Sequence, residues 1–409
     1  EFSLPLLVAL VAARLTGELL LRAGQPALVG EMFAGLALAT IGLAAGSGWL
    51  LSLGDSPVIA TFADVGAFFL VLVVGVEMRP SEIGRASRAG VAVALGGVLV
   101  PMAAGFTLVW WLLPGSDARF ALAFLTGVAL SISAVPATAR IFGEMGLLHH
   151  AVGRTVIAAA LIDDIIGLIS LAVLTAIVQT GAMPNAAAFA IVVGKSAAFF
   201  AIAIAFSTVA YPFAARLLGS AHSRAAGLST LLAAGMGFAV LAEAMGMHFI
   251  LGPFVAGLFF EPHRVGKAQY DEQKLVLERI VAGFMRPIFF VAIGLNVDIT
   301  VVAALPGFVA AIILTAAFGK LLGCGIPAWL AGMRPREALA VGIGMNSRGA
   351  IELIIAAIAL RAGLIGESGG GGDIGRYLFS ALALMALVTT LITPGLLRLV
   401  LRVRPVDSD

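Results

Sequence analysis

The sequence predicts an all-α polytopic membrane protein with about thirteen transmembrane helices, two inverted-topology repeats and two discontinuous, crossing helices. Three observations predict this fold. The 409-residue chain is 61% hydrophobic and only 12% charged, with a mean hydropathy of +1.08, whereas soluble chains carry about a quarter charged residues. Apolar stretches recur from end to end and are separated by short charged loops. Related motifs return in the second half at an odd helix offset.

Taken in order, the spanning segments run over about 3–22, 27–44, 58–78, 89–113, 119–142, 152–179, 187–217, 223–243, 247–260, 275–296, 300–331, 335–361 and 373–403. The first is followed by "LRAGQPALVGEMFAG" rather than a small-residue cleavage site, so it reads as a retained helix. The ninth is short for a full span. "GESGGGGD" separates the last two and reads as a flexible loop. Loops after odd-numbered segments hold the basic clusters, among them Arg79, Arg85 and Arg88, then Arg264, Lys267 and Lys274, then Arg398, Arg402 and Arg404. Loops after even-numbered segments hold only Arg119, Arg361 and Arg376. The positive-inside rule therefore places the N-terminus outside and the C-terminus in the cytoplasm.

"LVGEMFAGL" (28–36) in segment two matches "ILGPFVAGL" (250–258) in segment nine, and "FFLVLVVGV" (68–76) in segment three resembles "FFVAIGL" (289–295) in segment ten. The offset of seven segments is odd, so paired segments cross the membrane in opposite directions. Segments 1–6 and 8–13 are the inverted halves and segment seven is the linker. Transporters built this way place substrate sites near the midplane, at broken helices. Segment five then corresponds to segment twelve, and both carry helix breakers. Segment five contains "SISAVPAT", with Ser133, Thr138 and Pro136, the last lacking a backbone N–H. Segment twelve contains "GIGMNSRGAIEL", with glycines around Asn346, Ser347 and Arg348.

Segment six carries the adjacent pair Asp163 and Asp164 in an apolar run. Each carboxylate costs about 2.5–3.5 kcal/mol at a bilayer centre, so the pair marks a functional site. Neighbours on a helix lie about 100° apart, so one aspartate can face a protein cation while the other faces a cavity. Lys320, mid-segment in helix eleven, which the repeat sets opposite helix four, is the candidate cation. Arg348 and Glu352 are spaced i,i+4 and can pair on one face, supporting the interrupted segment. Glu31, Glu77 and Arg14 lie near expected helix ends and are explained by the interface. His149, His150, His248 and His263 show no metal-ligand spacing. With no Walker loop, zinc motif or nucleophile–base constellation, the sequence does not read as an enzyme, needs no cofactor and has no nucleic-acid partner.

Over essentially its whole length the chain resembles bacterial sodium/proton antiporters of the cation:proton antiporter-2 family, with the fold of the NhaA and NapA transporters. The resemblance rests on "QPALVGEMFAG" (25–35), Asp163–Asp164, "GPFVAGL" (252–258), "PIFFVAIGL" (287–295), Lys320 and "MNSRGAIELI" (345–354). It implies a homodimer in a bacterial inner membrane that exchanges Na+, or Li+, for protons by an elevator motion. The implied division gives dimer or panel helices at 1–78 and 223–296, core-domain helices at 89–179 and 300–403, and a linker helix at 187–217. It also implies that Asp164 is the principal carboxylate for the cation and the proton, and that Asp163 pairs with Lys320. Members with two aspartates tend to be electrogenic. The "NSRGAIEL" form also occurs in relatives that move potassium, so a K+/H+ antiporter is the alternative. A sodium-coupled organic-solute symporter or a cation channel are readings from other classes.

Overall fold

The computed structural model describes residues 2–78, 88–113, 118–133, 142, 150–180, 190–191, 194–195, 197–206, 226–365 and 371–401. Among these residues every regular element is helical. That follows from the composition: in lipid a backbone that satisfies its own hydrogen bonds must be a helix or a closed barrel, and Ala- and Leu-rich segments favour the helix. The helices used below are α1 (Ser3–Arg22), α2 (Ala27–Ala45), α3 (Pro57–Glu77), α4 (Arg88–Leu112), α5 (Arg119–Ser131) and α6 (Ala151–Thr180). Next come α7 (Ala197–Phe206), α8 (Ala226–Ala244), α9 (Leu251–Leu258), α10 (Lys267–Ile280) and α11 (Arg286–Leu295). The last four are α12 (Pro306–Leu330), α13 (Pro335–Gly344), α14 (Ala350–Arg361) and α15 (Gly372–Leu401).

Eight helices among the described residues are long and apolar enough to cross a membrane. Boundaries follow local chemistry. Gly46 takes a left-handed conformation (φ 61°) and closes α2. Pro306 opens α12 at its first position, where a missing N–H costs nothing. The Glu337 carboxylate accepts the Arg334 N–H at 3.0 Å and caps α13. The tenth segment is longer than hydropathy indicates: α10 continues through a π-helical turn, Val281–Met285, into α11, and its polar first half, "KAQYDEQK", is what hydropathy overlooks. The ninth contains only the eight residues of α9.

The chain divides into two compact units. The first comprises Glu1–Ala60, Arg85–Ser170 and Phe290–Asp409; the second comprises Thr61–Gly84 and Leu171–Phe289. Within the first, α2 crosses α11 where two glycines meet: a Cβ on Gly35 would overlap the Val291 carbonyl, and one on Gly294 would overlap the Met32 carbonyl. Within the second, α3 crosses α9 in the same manner, Gly75 against the Phe254 carbonyl and Gly257 against that of Leu72. The repeated motifs align Gly35 with Gly257 and Gly75 with Gly294, so each crossing is the counterpart of the other. A third crossing, Gly96 of α4 on Gly323 of α12, joins the two segments that the repeat pairs with each other. Small residues let helix backbones approach closely where lipid supplies no hydrophobic drive. Gly35→Ala should therefore destabilise the protein by at least about 1–3 kcal/mol. Gly237→Ala, with nothing within 4 Å of the added methyl, should be neutral or slightly stabilising. Thermal unfolding of the two purified variants in detergent checks this.

Glu31 is buried rather than interfacial, at 1% exposure. The reason is the tight α1–α2 contact: Thr16 Oγ1 donates to the Gly30 carbonyl at 2.7 Å, and the Glu31 Cγ lies 3.5 Å from where a Cβ on Gly17 would sit.

Candidate functional site: a buried lysine–aspartate pair beside two interrupted helices

The site lies within the first unit and is built on α6. Asp163 and Asp164 are 0% and 1% exposed. Contacts on either side of them fix the helix against the two interruptions. Upstream, Gly344, the last residue of α13, sits where an added Cβ would fall 3.7 Å from Val156 Cγ2. Downstream, a Cβ on Gly167 would lie 2.9 Å from the Ile132 side chain, just past the end of α5. The aspartates therefore occupy the stretch of α6 between its contacts with one break and with the other.

Lys320 of α12 donates from Nζ to Asp163 Oδ2 at 2.8 Å, with both side chains essentially inaccessible. α4 makes room for this lysine. A Cβ on Gly97 would lie 3.9 Å from Lys320 Nζ and overlap Cys324 Sγ, one turn further along α12. Removing either partner of a buried pair leaves an uncompensated charge and costs about 3–5 kcal/mol. Asp164 is turned about 100° from its neighbour by helix geometry, so the lysine engages one carboxylate and leaves the other to a different surrounding.

α5 stops at Ser131, and Ile132 is extended (ψ 141°). The twelfth segment is interrupted between Gly344 and Ala350. The two breaks are tied together. Ser133 Oγ donates to the Met345 carbonyl at 2.7 Å. The fully buried Arg348 reaches across with Nη1 to the carbonyls of Ala129 (3.2 Å) and Ile132 (2.5 Å) and to Glu352 Oε2 (3.3 Å). A cation suits the negative C-terminal end of α5, and an acidic side chain suits the first turn of α14, so the pair complements both helix ends.

Of the residues singled out from sequence, the structure brings Asp163 to Lys320 and gathers Ser133, Arg348 and Glu352 at the breaks. Asp164, Asn346 and Ser347 are buried. Pro136 and Thr138 lie outside the described residues. One contributor has no sequence signal: Thr390 of α15, whose Oγ1 accepts the Arg348 N–H at 2.9 Å and donates to the Arg348 carbonyl at 3.3 Å. It satisfies both backbone groups of a residue that no helix can satisfy. A threonine in an apolar helix costs little, so composition alone does not single it out.

Residues 6–403 match the family described as sodium/hydrogen exchanger, transmembrane. The chain is 28% identical to the Na(+)/H(+)-K(+) antiporter GerN of Bacillus cereus over 399 residues, covering 97% of this chain and 96% of that one. It is 28% identical to the cation/H(+) antiporter 19 of Arabidopsis thaliana over 98% of this chain, but spans only 50% of the plant protein. Among solved structures, the sodium proton antiporter MjNhaP1 of Methanocaldococcus jannaschii shares the fold, with a TM-score of 0.72 at 14% identity and 97% coverage of both chains. A helical chain with intramembrane charges and two interrupted helices, matched nearly from end to end, belongs to the sodium/hydrogen exchanger family of integral membrane proteins.

Proposed function

We propose that the protein is a secondary active transporter exchanging a monovalent cation, Na+ and with it Li+, for protons. The observation that carries this reading is the buried Lys320–Asp163 pair at 2.8 Å with Asp164 adjacent on a helix held against two breaks. Asp164 holds either the cation or a proton, and that exclusion couples the two flows. A small hard cation prefers oxygen ligands, and a carboxylate is the oxygen group that also takes protons. When the cation enters, Asp164 gives up its proton and the Asp163–Lys320 pair opens and releases a second. Two protons per sodium make the exchange electrogenic.

Alternating access follows an elevator motion in a homodimer, with core-domain helices at 89–179 and 300–403 moving against dimer or panel helices at 1–78 and 223–296, joined by a linker at 187–217. The protein sits in a bacterial inner membrane with its N-terminus outside and its C-terminus in the cytoplasm. A potassium reading is favoured by one observation: the GerN relative, matched over 97% of this chain, is named for K+ as well as Na+.

Proteoliposomes loaded with a pH-sensitive dye decide between them. Na+ and Li+ should each drive proton movement, and an imposed membrane potential should change its rate. A response to K+ alone moves the assignment to potassium/proton exchange, and no response to any of the three cations across pH overturns the antiporter reading.

A further inference from the structure

Two oxygens in the interruption at 345–349 are left unused by this scheme. Hydroxyls are tolerated inside apolar helices because they donate to a carbonyl about one turn back. The chain does this repeatedly: Thr126 to Leu122 at 2.8 Å, Ser131 to Val128 at 2.8 Å, Ser170 to Ile166 at 2.8 Å and Thr175 to Leu171 at 2.9 Å. Ser347 departs from the pattern. It is fully buried, and its Oγ has no hydrogen-bond partner among the described residues. The adjacent Asn346, 5% exposed, likewise has an Oδ1 without a donor. Buried polar atoms are nearly always satisfied, so two orphans side by side call for an explanation.

Backbone carbonyls at the breaks are the other oxygens a cation could use, and four of them already accept protein donors. Ala129 and Ile132 accept from the Arg348 guanidinium, Met345 from Ser133 and Arg348 from Thr390. The guanidinium charge also repels a second cation from the first two. The side-chain oxygens of residues 346 and 347 carry no such occupant. They follow directly on Gly344 and Met345, the former packed on Val156 of α6 and the latter bonded to Ser133. Ile132, next to Ser133, packs on Gly167 one turn beyond Asp164.

We infer that Asn346 Oδ1 and Ser347 Oγ complete the oxygen shell of the cation held by Asp164 and decide which monovalent cation it prefers. An amide carbonyl and a hydroxyl are neutral hard ligands. With the single negative charge of Asp164 they make a shell whose charge matches a monovalent ion. Arg348 then has a second consequence: by occupying the carbonyls of Ala129 and Ile132 it moves coordination onto the twelfth segment.

The inference rests on the exchange reading, and one experiment separates their failures. Apparent KM values for Li+, Na+ and K+ are measured in proteoliposomes for the wild-type protein, Asn346→Ala and Ser347→Ala, alongside the shift in melting temperature that each cation produces in detergent. Each variant should raise the KM for the preferred cation about tenfold or more, raise the three KM values by unequal factors, and shrink the cation-induced melting shift. Wild-type KM values, or one common factor for all three cations, overturn the assignment while exchange itself stands. A wild-type protein that exchanges no cation removes the functional reading and this inference with it. Where an alanine variant fails to reach the membrane, Ser347→Thr and Asn346→Gln keep the oxygens but displace them. An altered Li+:Na+:K+ ratio then supports the assignment, and an unaltered ratio overturns it.

Discussion

Replacing Asp164 with asparagine should abolish cation-driven proton movement while leaving the protein folded in the membrane. The substitution keeps the shape of the side chain and removes the one property the exchange scheme needs, a group that binds a proton or a cation but not both. Losing a charged ligand from a desolvated site is worth about 3–5 kcal/mol, which corresponds to a fall of about 100-fold or more in cation-dependent rate. The melting temperature should stay level or rise, because Asp164, 1% exposed, is costly to bury as an anion. Dye dequenching in proteoliposomes, with thermal unfolding of the same preparation, measures both. Retained cation-dependent proton transport by a correctly inserted variant would remove Asp164 from the centre of the mechanism.

Residues whose burial is expensive were the ones legible in the sequence. A carboxylate pair and a lysine inside apolar helices cannot be incidental in lipid, and the structure sets Lys320 2.8 Å from Asp163 across a sequence separation of 157. The interruption of the twelfth segment was legible for a related reason: glycine and short polar residues break helices by rules that hold anywhere; Pro136, the breaker expected in segment five, lies outside the described residues. What stayed hidden was choice of partner. Arg348 and Glu352 read as an i,i+4 pair, and the structure retains that contact, yet the same guanidinium also closes the end of α5, more than two hundred residues away. Thr390 was invisible because a threonine that back-bonds to its own helix and one that clamps a distant backbone have the same composition. The glycine motifs disclosed the repeat, but not that α2 would cross α11 and α3 would cross α9. Motif similarity reports descent, whereas close approach depends on which small residues face each other in the packed chain. Glu31, expected at the interface, is buried for the same reason: distance from a helix end says nothing of whether a neighbouring helix covers it.

Lys320→Gln should produce the largest loss of stability among the site variants, and a second substitution should return much of it. The lysine is fully buried, with its ammonium on one oxygen of Asp163; the other, Oδ1, has no hydrogen-bond partner among the described residues. Glutamine leaves that carboxylate charged and without its counter-ion in a medium where its cost is highest. A destabilisation of about 3–5 kcal/mol follows. Removing both charges in Lys320→Gln with Asp163→Asn leaves two neutral amides of suitable size, and neutral replacements of buried ion pairs are often tolerated. The double-mutant cycle in melting temperature should therefore show strong non-additivity. Transport distinguishes the pair's electrical role from its structural one. If opening the pair supplies the second proton, the rescued double variant should exchange cation for proton with little response to an imposed membrane potential. Wild-type charge movement in that variant, measured on a solid-supported membrane, would make the pair a structural element alone and assign the second proton to a titratable group other than Asp163, Asp164 and Lys320.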